Sequence, residues 1–314
     1  MARLFSIFYF LPCALRAQEA VQEVVANLAG GHVVVYVAKD GIAIAANEHR
    51  IEAESRPPAF VPLSGRRMAV LLGAVEWLHP GTGRAPVRLD VELPRLLGQV
   101  AAGPRLRQEQ GGDLEAVGMA LLEPLRASAG KITRKLPLGA EEPLVEMLLV
   151  GYAEEYGPEV WLLRYRLAQD PLRGEYYQTR VLRPTYTQLY PPEKGQPRTL
   201  LEVRYPPEDP GPELLALLKE SDPRLMPART SNVQAVRAID KLNRGECHKG
   251  LLDDAVVFLR SSLDAVAEPG AAQVVAIIKE RTGFEWILAP PEPLQKAEDS
   301  KREPGAPTLR KPPQ

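Results

Sequence analysis

The chain has 314 residues, of which 45% are hydrophobic and 25% are charged, and its formal net charge is -1 at pH 7. This composition is typical of a globular protein with an ordinary polar surface. The balance of charges excludes a general electrostatic attraction to nucleic acids or anionic membranes, so no nucleic-acid partner is expected.

The first 17 residues have the pattern of an export signal. Arg3 gives a basic start, Leu4–Leu11 is an apolar core, and Ala14–Ala17 is typical of a cleavage site. The apolar run is too short to span a bilayer. We therefore expect an exported protein, periplasmic or secreted, with no membrane attachment beyond export. Removal of residues 1–17 would leave Cys247 as the single cysteine, so no internal disulfide is predicted.

The next segments predict a helix and then a hairpin. Residues 18–28 carry apolar side chains at helical spacing before two glycines, so 18–31 is expected to be an N-terminal helix and linker. The stretch 33–50 predicts a β-hairpin, because two apolar, β-branched runs flank Asp40-Gly41. Gly41 is expected to supply a positive φ in that turn.

The rest of the chain predicts strands and helices that cluster by type. Gly and Pro mark 80–110 as a loop-bearing insertion, and the Tyr- and Pro-rich stretch 170–230 is a second insertion. The apolar patterns predict strands at 59–63, 67–73, 144–150, 160–167, 176–182 and 199–205, helices at 114–129, 232–242 and 251–267, and a closing hairpin at 274–288. This order is typical of an α+β domain. The charged, Pro-rich tail, 290–314, is expected to be disordered.

Three blocks resemble the proteasome-type N-terminal-nucleophile (Ntn) hydrolases, in the same order. They are the hairpin through Asn47, the strand pair around Gly151-Tyr152, and the final helix and strands within 253–286. The resemblance implies one domain over 32–289, a four-layer αββα sandwich with two antiparallel sheets between helical layers. It also implies rings or stacked copies, so a homo-oligomer is expected unless the insertions block those contacts.

The catalytic residues of that family do not match this chain. In the family, a threonine that begins the first strand is the nucleophile, and an aspartate and a lysine on the next two strands assist it. The matching positions are Gly31, Asn47 and Pro58, which offer no nucleophile, no charge and no titrating amine. Arg56 lies nearby, but a guanidinium cannot act as a base. The leading hypothesis is an exported pseudoenzyme, a non-catalytic proteasome-like domain that acts in binding or assembly.

An active peptidase or amidase is the first alternative, with Cys247 and His248 as candidate nucleophile and base. Adjacent residues usually point apart, and a lone cysteine is more typical of a small buried side chain. His32 lies at a strand end and is expected to be solvated. The sequence has no ligand spacing typical of a metal site, and no cofactor is predicted.

An α+β binding module unrelated to the family is the second alternative. Tyrosine and arginine are typical interface anchors, because they combine a large contact area with a polar end. The residues predicted to bind an unknown protein or peptide partner are Tyr176, Tyr177, Tyr186, Tyr190 and Arg183. The competing interpretation of this segment is an irregular cover over a sheet edge.

Overall fold

The computed structural model describes residues 25–48, 56–64, 66–78, 85–101, 112–129, 141–153, 157–171, 177–207, 213–230 and 232–290. The strands in these residues are β1 (Val25–Ala29), β2 (Gly31–Val37), β3 (Ile42–Glu48), β4 (Ala59–Ser64), β5 (Arg67–Leu78), β6 (Val87–Arg88), β7 (Glu141–Ala153), β8 (Gly157–Pro171), β9 (Tyr177–Val181), β10 (Thr185–Tyr190), β11 (Leu201–Tyr205), β12 (Gln273–Lys279) and β13 (Gly283–Leu288). The helices are α1 (Leu89–Ala101), α2 (Gly112–Ala129), α3 (Leu214–Lys219), α4 (Met226–Thr230), α5 (Val233–Asn243) and α6 (Leu252–Val266).

The strands form two antiparallel sheets, which confirms the predicted α+β class. The first sheet has the order β1-β5-β7-β8-β10, with β4 and β6 also paired to β5 and β9 paired to β8. The second sheet has the order β11-β2-β3-β12-β13. The chain passes from β1 in the first sheet to β2 in the second through one residue, Gly30.

Three apolar cores explain why the central strands are hydrophobic on both faces. Along β2, Val33, Val35 and Val37 contribute to a core shared by both sheets. Val34 and Tyr36 point to the other face, where they pack with α3, α5 and α6. A third core lies between the first sheet and the helices α1 and α2. This arrangement is compatible with a layered sandwich.

The structure confirms the opening hairpin, but Gly41 has a different role from the predicted one. β2 and β3 pair from Gly31↔Glu48 to Val37↔Ile42. Gly41 is not among the glycines with positive φ in the described chain. Its small size is needed instead, because a Cβ atom at Gly41 would lie 2.6 Å from Cδ2 of Leu252.

The predicted N-terminal helix is wrong over the residues that the structure describes. Residues 25–29 form the strand β1, which pairs antiparallel with residues 73–78 of β5. Strand pairing satisfies the backbone there and overrides the helical spacing of the apolar side chains. Residues 18–24 lie outside the described part, as do the predicted export signal and the tail beyond residue 290.

Both predicted insertions contain regular elements that the sequence analysis did not predict. The first contains α1, whose Leu89 and Leu93 are buried against the first sheet. The second contains β10 between the two strands that the sequence predicted, followed by α3 and α4. The other elements are confirmed: the strand pair β4–β5, the strand pair β7–β8, the helices α2, α5 and α6, and the closing hairpin β12–β13.

Candidate functional site

Gly31, the position matched to the family nucleophile, begins β2 between the two sheets. Its neighbours Gly30 and Ala29 continue the chain back into β1. The Gly31 nitrogen is therefore a peptide nitrogen within the chain, at the passage from β1 to β2. Across the second sheet, Gly31 is in register with Glu48 of β3 and with Tyr205 of β11.

The structure brings together all three positions that the resemblance matched to catalytic residues. A Cβ atom built on Gly31 would lie 2.4 Å from the carbonyl oxygen of Asn47 and 2.6 Å from Cγ of Pro58. Real Cβ atoms do not approach other heavy atoms this closely. The space that a nucleophilic side chain would need at Gly31 is therefore filled by a backbone carbonyl and a proline ring.

Arg56 lies beside the residues that precede Gly31, and its side chain pairs with a buried carboxylate. Its amide donates to the Leu28 carbonyl at 2.9 Å, and its carbonyl accepts from the Gly30 amide at 3.1 Å. The guanidinium lies 2.8 Å from the carboxylate of Glu76, which is buried. A carboxylate held in this way needs its cation, since burying one charge without the other is strongly unfavourable. Arg56 therefore joins β1, β5 and the start of the segment that leads to β4.

His32 is buried, which corrects the prediction of a solvated strand end. Its Nε2 donates to Oε2 of Glu202 on the neighbouring strand β11 at 2.7 Å. Sequence reasoning did not find this pair, because the two residues are 170 positions apart. The sequence does contain an indication of a buried charge, because Glu202 lies within the alternating apolar pattern of a predicted strand. A charged side chain that is buried there needs a partner.

Cys247 and His248 do not have the properties of a nucleophile and its base. Cys247 is buried in the core between the second sheet and its helices, next to the Tyr36 hydroxyl. Burial raises the pKa of its thiol to about 12, so the reactive thiolate is scarce at neutral pH. The pKa of His248 is lowered by burial and by the positive charges of Arg198 and Lys249.

The structure does not gather the predicted binding tyrosines on one surface. Tyr186 is 37% exposed and lies against Gly118 of α2, whereas Tyr190 is buried in the core between the sheets. A register shift between Gln188 and Tyr190 accounts for their opposite directions. Arg183 is exposed. Tyr176 and the side chain of Tyr177 lie outside the described part.

The described residues were also compared with the requirements of a metal site and of a membrane-spanning helix. No group of three or more His, Cys, Asp or Glu side chains in the described ranges is placed to hold a metal ion. Within the same ranges, no helix is long and apolar enough to cross a membrane.

The comparison with known proteins assigns no family. The sequence matches no protein-family model and no curated protein. The functional argument therefore depends on the fold and on the contacts around Gly31.

Proposed function

We propose that this chain is a non-catalytic relative of the Ntn hydrolases that acts by binding or assembly. One observation carries the proposal. The three positions matched to the family's catalytic residues meet at a single point, and at that point Asn47 and Pro58 leave no space for a side chain on Gly31. The proximity of the three positions supports the resemblance, and the filled space at Gly31 supports a function without catalysis.

The order of the layers supports the four-layer αββα arrangement that the resemblance implies. The helices α1 and α2 pack on one sheet, α3, α5 and α6 pack on the other, and the two sheets share the central core. Two of the three blocks that carry the resemblance are strand pairs inside the sheets: the hairpin β2–β3 lies in the second sheet, and the pair β7–β8 lies in the first. Unrelated functions can share a fold, so the argument for function depends on the site.

The surroundings of Gly31 support a site without activity. A nucleophile needs a base within hydrogen-bond reach, and catalysis by a terminal residue needs a free amine. Gly31 has no side chain and its nitrogen lies within the chain, while Arg56 is paired with Glu76. The buried thiol of Cys247 does not replace them, because its pKa is raised to about 12.

We also propose that the protein is exported and that its partner is a protein, a peptide or a second copy of the chain. The export proposal is based on the basic, apolar and small-residue pattern of residues 1–17. With Tyr190 buried, the partly exposed Tyr186 and the nearby, exposed Arg183 are the described residues of the predicted Tyr-rich surface that a partner could contact.

A hydrolase assay tests the proposal. The full chain is incubated with fluorogenic peptide and amide substrates, beside its Cys247→Ala variant as a matched control. We expect no turnover above the buffer blank for either protein, since no described group at Gly31 can attack a carbonyl. Turnover that disappears in Cys247→Ala would identify that thiol as the nucleophile. Turnover retained in the variant would show that a different nucleophile exists, and either result would overturn the proposal.

A further inference from the structure

Glu202 is a buried carboxylate that joins two strands to a helix. It lies on β11 and points to the helical side of the second sheet, where His32 of β2 donates to its Oε2 at 2.7 Å. The Leu214 amide donates to the same oxygen at 2.7 Å, and the Leu215 amide donates to Oε1 at 2.8 Å. Three donors therefore converge on one carboxylate.

The two amides belong to the first turn of α3, which has no local cap. Glu213, the residue before the helix, makes no side-chain capping bond, so Glu202 performs this role from β11. α3 has six residues, and a helix of this length is unstable without tertiary contacts. Its apolar contacts with the core beneath the second sheet are made by Leu214, Leu217 and Leu218.

The protonation state of Glu202 decides whether all three bonds exist together, because protonation of one oxygen leaves the carboxyl group with less acceptor capacity. An ionised carboxylate accepts from all three donors, whereas a carboxylic acid presents a hydroxyl donor toward groups that are donors themselves. Burial acts to raise the pKa of Glu202, but the His32 hydrogen bond, its charge and the two amides outweigh burial and hold that pKa below the ordinary value. Arg204 follows on the same face of β11, in register with His32, and Glu213 precedes α3.

The direction of the pH dependence follows from this lowered pKa. A carboxyl whose pKa is lower in the folded state contributes stability above the pKa of the unfolded chain. That contribution is lost as the pH falls through the folded-state pKa. The loss is local, because the donors belong to His32 and to the first turn of α3.

We propose that Glu202 is an acid-sensitive latch that holds α3 on the second sheet and releases it when the carboxylate is protonated, while both sheets stay folded. Release uncovers the apolar face formed by Leu214, Leu217 and Leu218, each of which is buried when the latch is closed. The central strands keep their ladder bonds and the core between the sheets, in which α3 has no part.

Amide hydrogen exchange, followed by mass spectrometry on the full chain, tests the latch. The pH is lowered from about 7 to about 3, and each exchange rate is corrected for its intrinsic pH dependence. We expect amides of 214–219 to gain exchange by about tenfold relative to those of 33–37, because local opening exposes the amides of the released helix while the central strands stay paired. In Glu202→Gln, the same helix should exchange fast already at neutral pH and respond little to acid. Glu220→Gln, an exposed change at the other end of α3, should behave like the unmodified chain.

Two results would overturn the latch. In the first, 214–219 and 33–37 of the unmodified chain lose protection together, which would mean that acid unfolds the whole domain. In the second, Glu202→Gln keeps the exchange pattern and the pH response of the unmodified chain. The titration of the unmodified chain decides the question even if Glu202→Gln does not fold. Neither result depends on whether the protein has hydrolase activity.

Discussion

At the scale of single residues, Gly31 is a position where the structure leaves no space for a side chain. In Gly31→Ala, the new methyl group would meet the Asn47 carbonyl oxygen at 2.4 Å and the Pro58 ring at 2.6 Å, and neither group belongs to a flexible side chain. We expect this substitution to lower the free energy of unfolding by about 1–3 kcal/mol, as overpacking of a filled core does. Urea unfolding measures the change.

Gly118→Ala on α2 is a matched control for this prediction. Its methyl group would meet the hydroxyl end of Tyr186, a partly exposed side chain that can move, and alanine favours a helix over glycine. The loss at Gly118 should therefore be smaller than the loss at Gly31. An unchanged free energy of unfolding in Gly31→Ala would contradict the filled site around which the proposed function is built.

At the scale of elements, α6 begins with a cap supplied from a distant turn. Leu251, the residue before the helix, offers no side-chain acceptor, and Oδ1 of Asp40 accepts the Leu252 amide at 2.8 Å. Asp40→Ala should cost about 0.5–2 kcal/mol of stability, the usual effect of removing a capping side chain. Asp40→Asn keeps an acceptor and should lose less. Thermal unfolding compares the two variants, and equal melting temperatures for Asp40→Ala and the unmodified chain would contradict the cap.

The elements also show where local patterns mislead. The apolar residues of β1 fit helical spacing, and the sequence therefore predicts a helix there. In the structure, the backbone of β1 pairs with β5 instead, and this pairing decides the conformation. β10 was not predicted, since Thr185–Gln188 are exposed and lack the alternation that marks a strand. Its strand structure comes from pairing with β8, residue by residue from Thr185↔Arg164.

At the scale of the whole molecule, the two sheets share one core, so we expect them to unfold as one cooperative unit. Leu148 of the first sheet is 1% exposed and packs in the core to which β2, β3 and β12 of the second sheet also contribute. Leu148→Ala should cost about 2–5 kcal/mol. Because both sheets line this core, tryptophan fluorescence and far-UV circular dichroism should report a single, coincident urea transition.

Leu251→Ala is the control for this core substitution. Leu251 is 49% exposed, so its truncation should change stability by about 0.5 kcal/mol or less. Separate transitions for the two probes in Leu148→Ala would show that the sheets unfold independently, against the shared core.

Local chemistry in the chain was sufficient to predict the opening and closing hairpins and the long helices. These depend on strand alternation, helical spacing and residue identity, which neighbouring residues carry. The meeting of Gly31, Asn47 and Pro58 was implied by the family resemblance, but only the folded chain shows that their contact leaves no space. The pairs His32–Glu202 and Asp40–Leu252 join residues 170 and 212 positions apart. Such pairs are decided by how the strands and helices pack, because no local pattern records which distant group will satisfy a buried charge or a helix end.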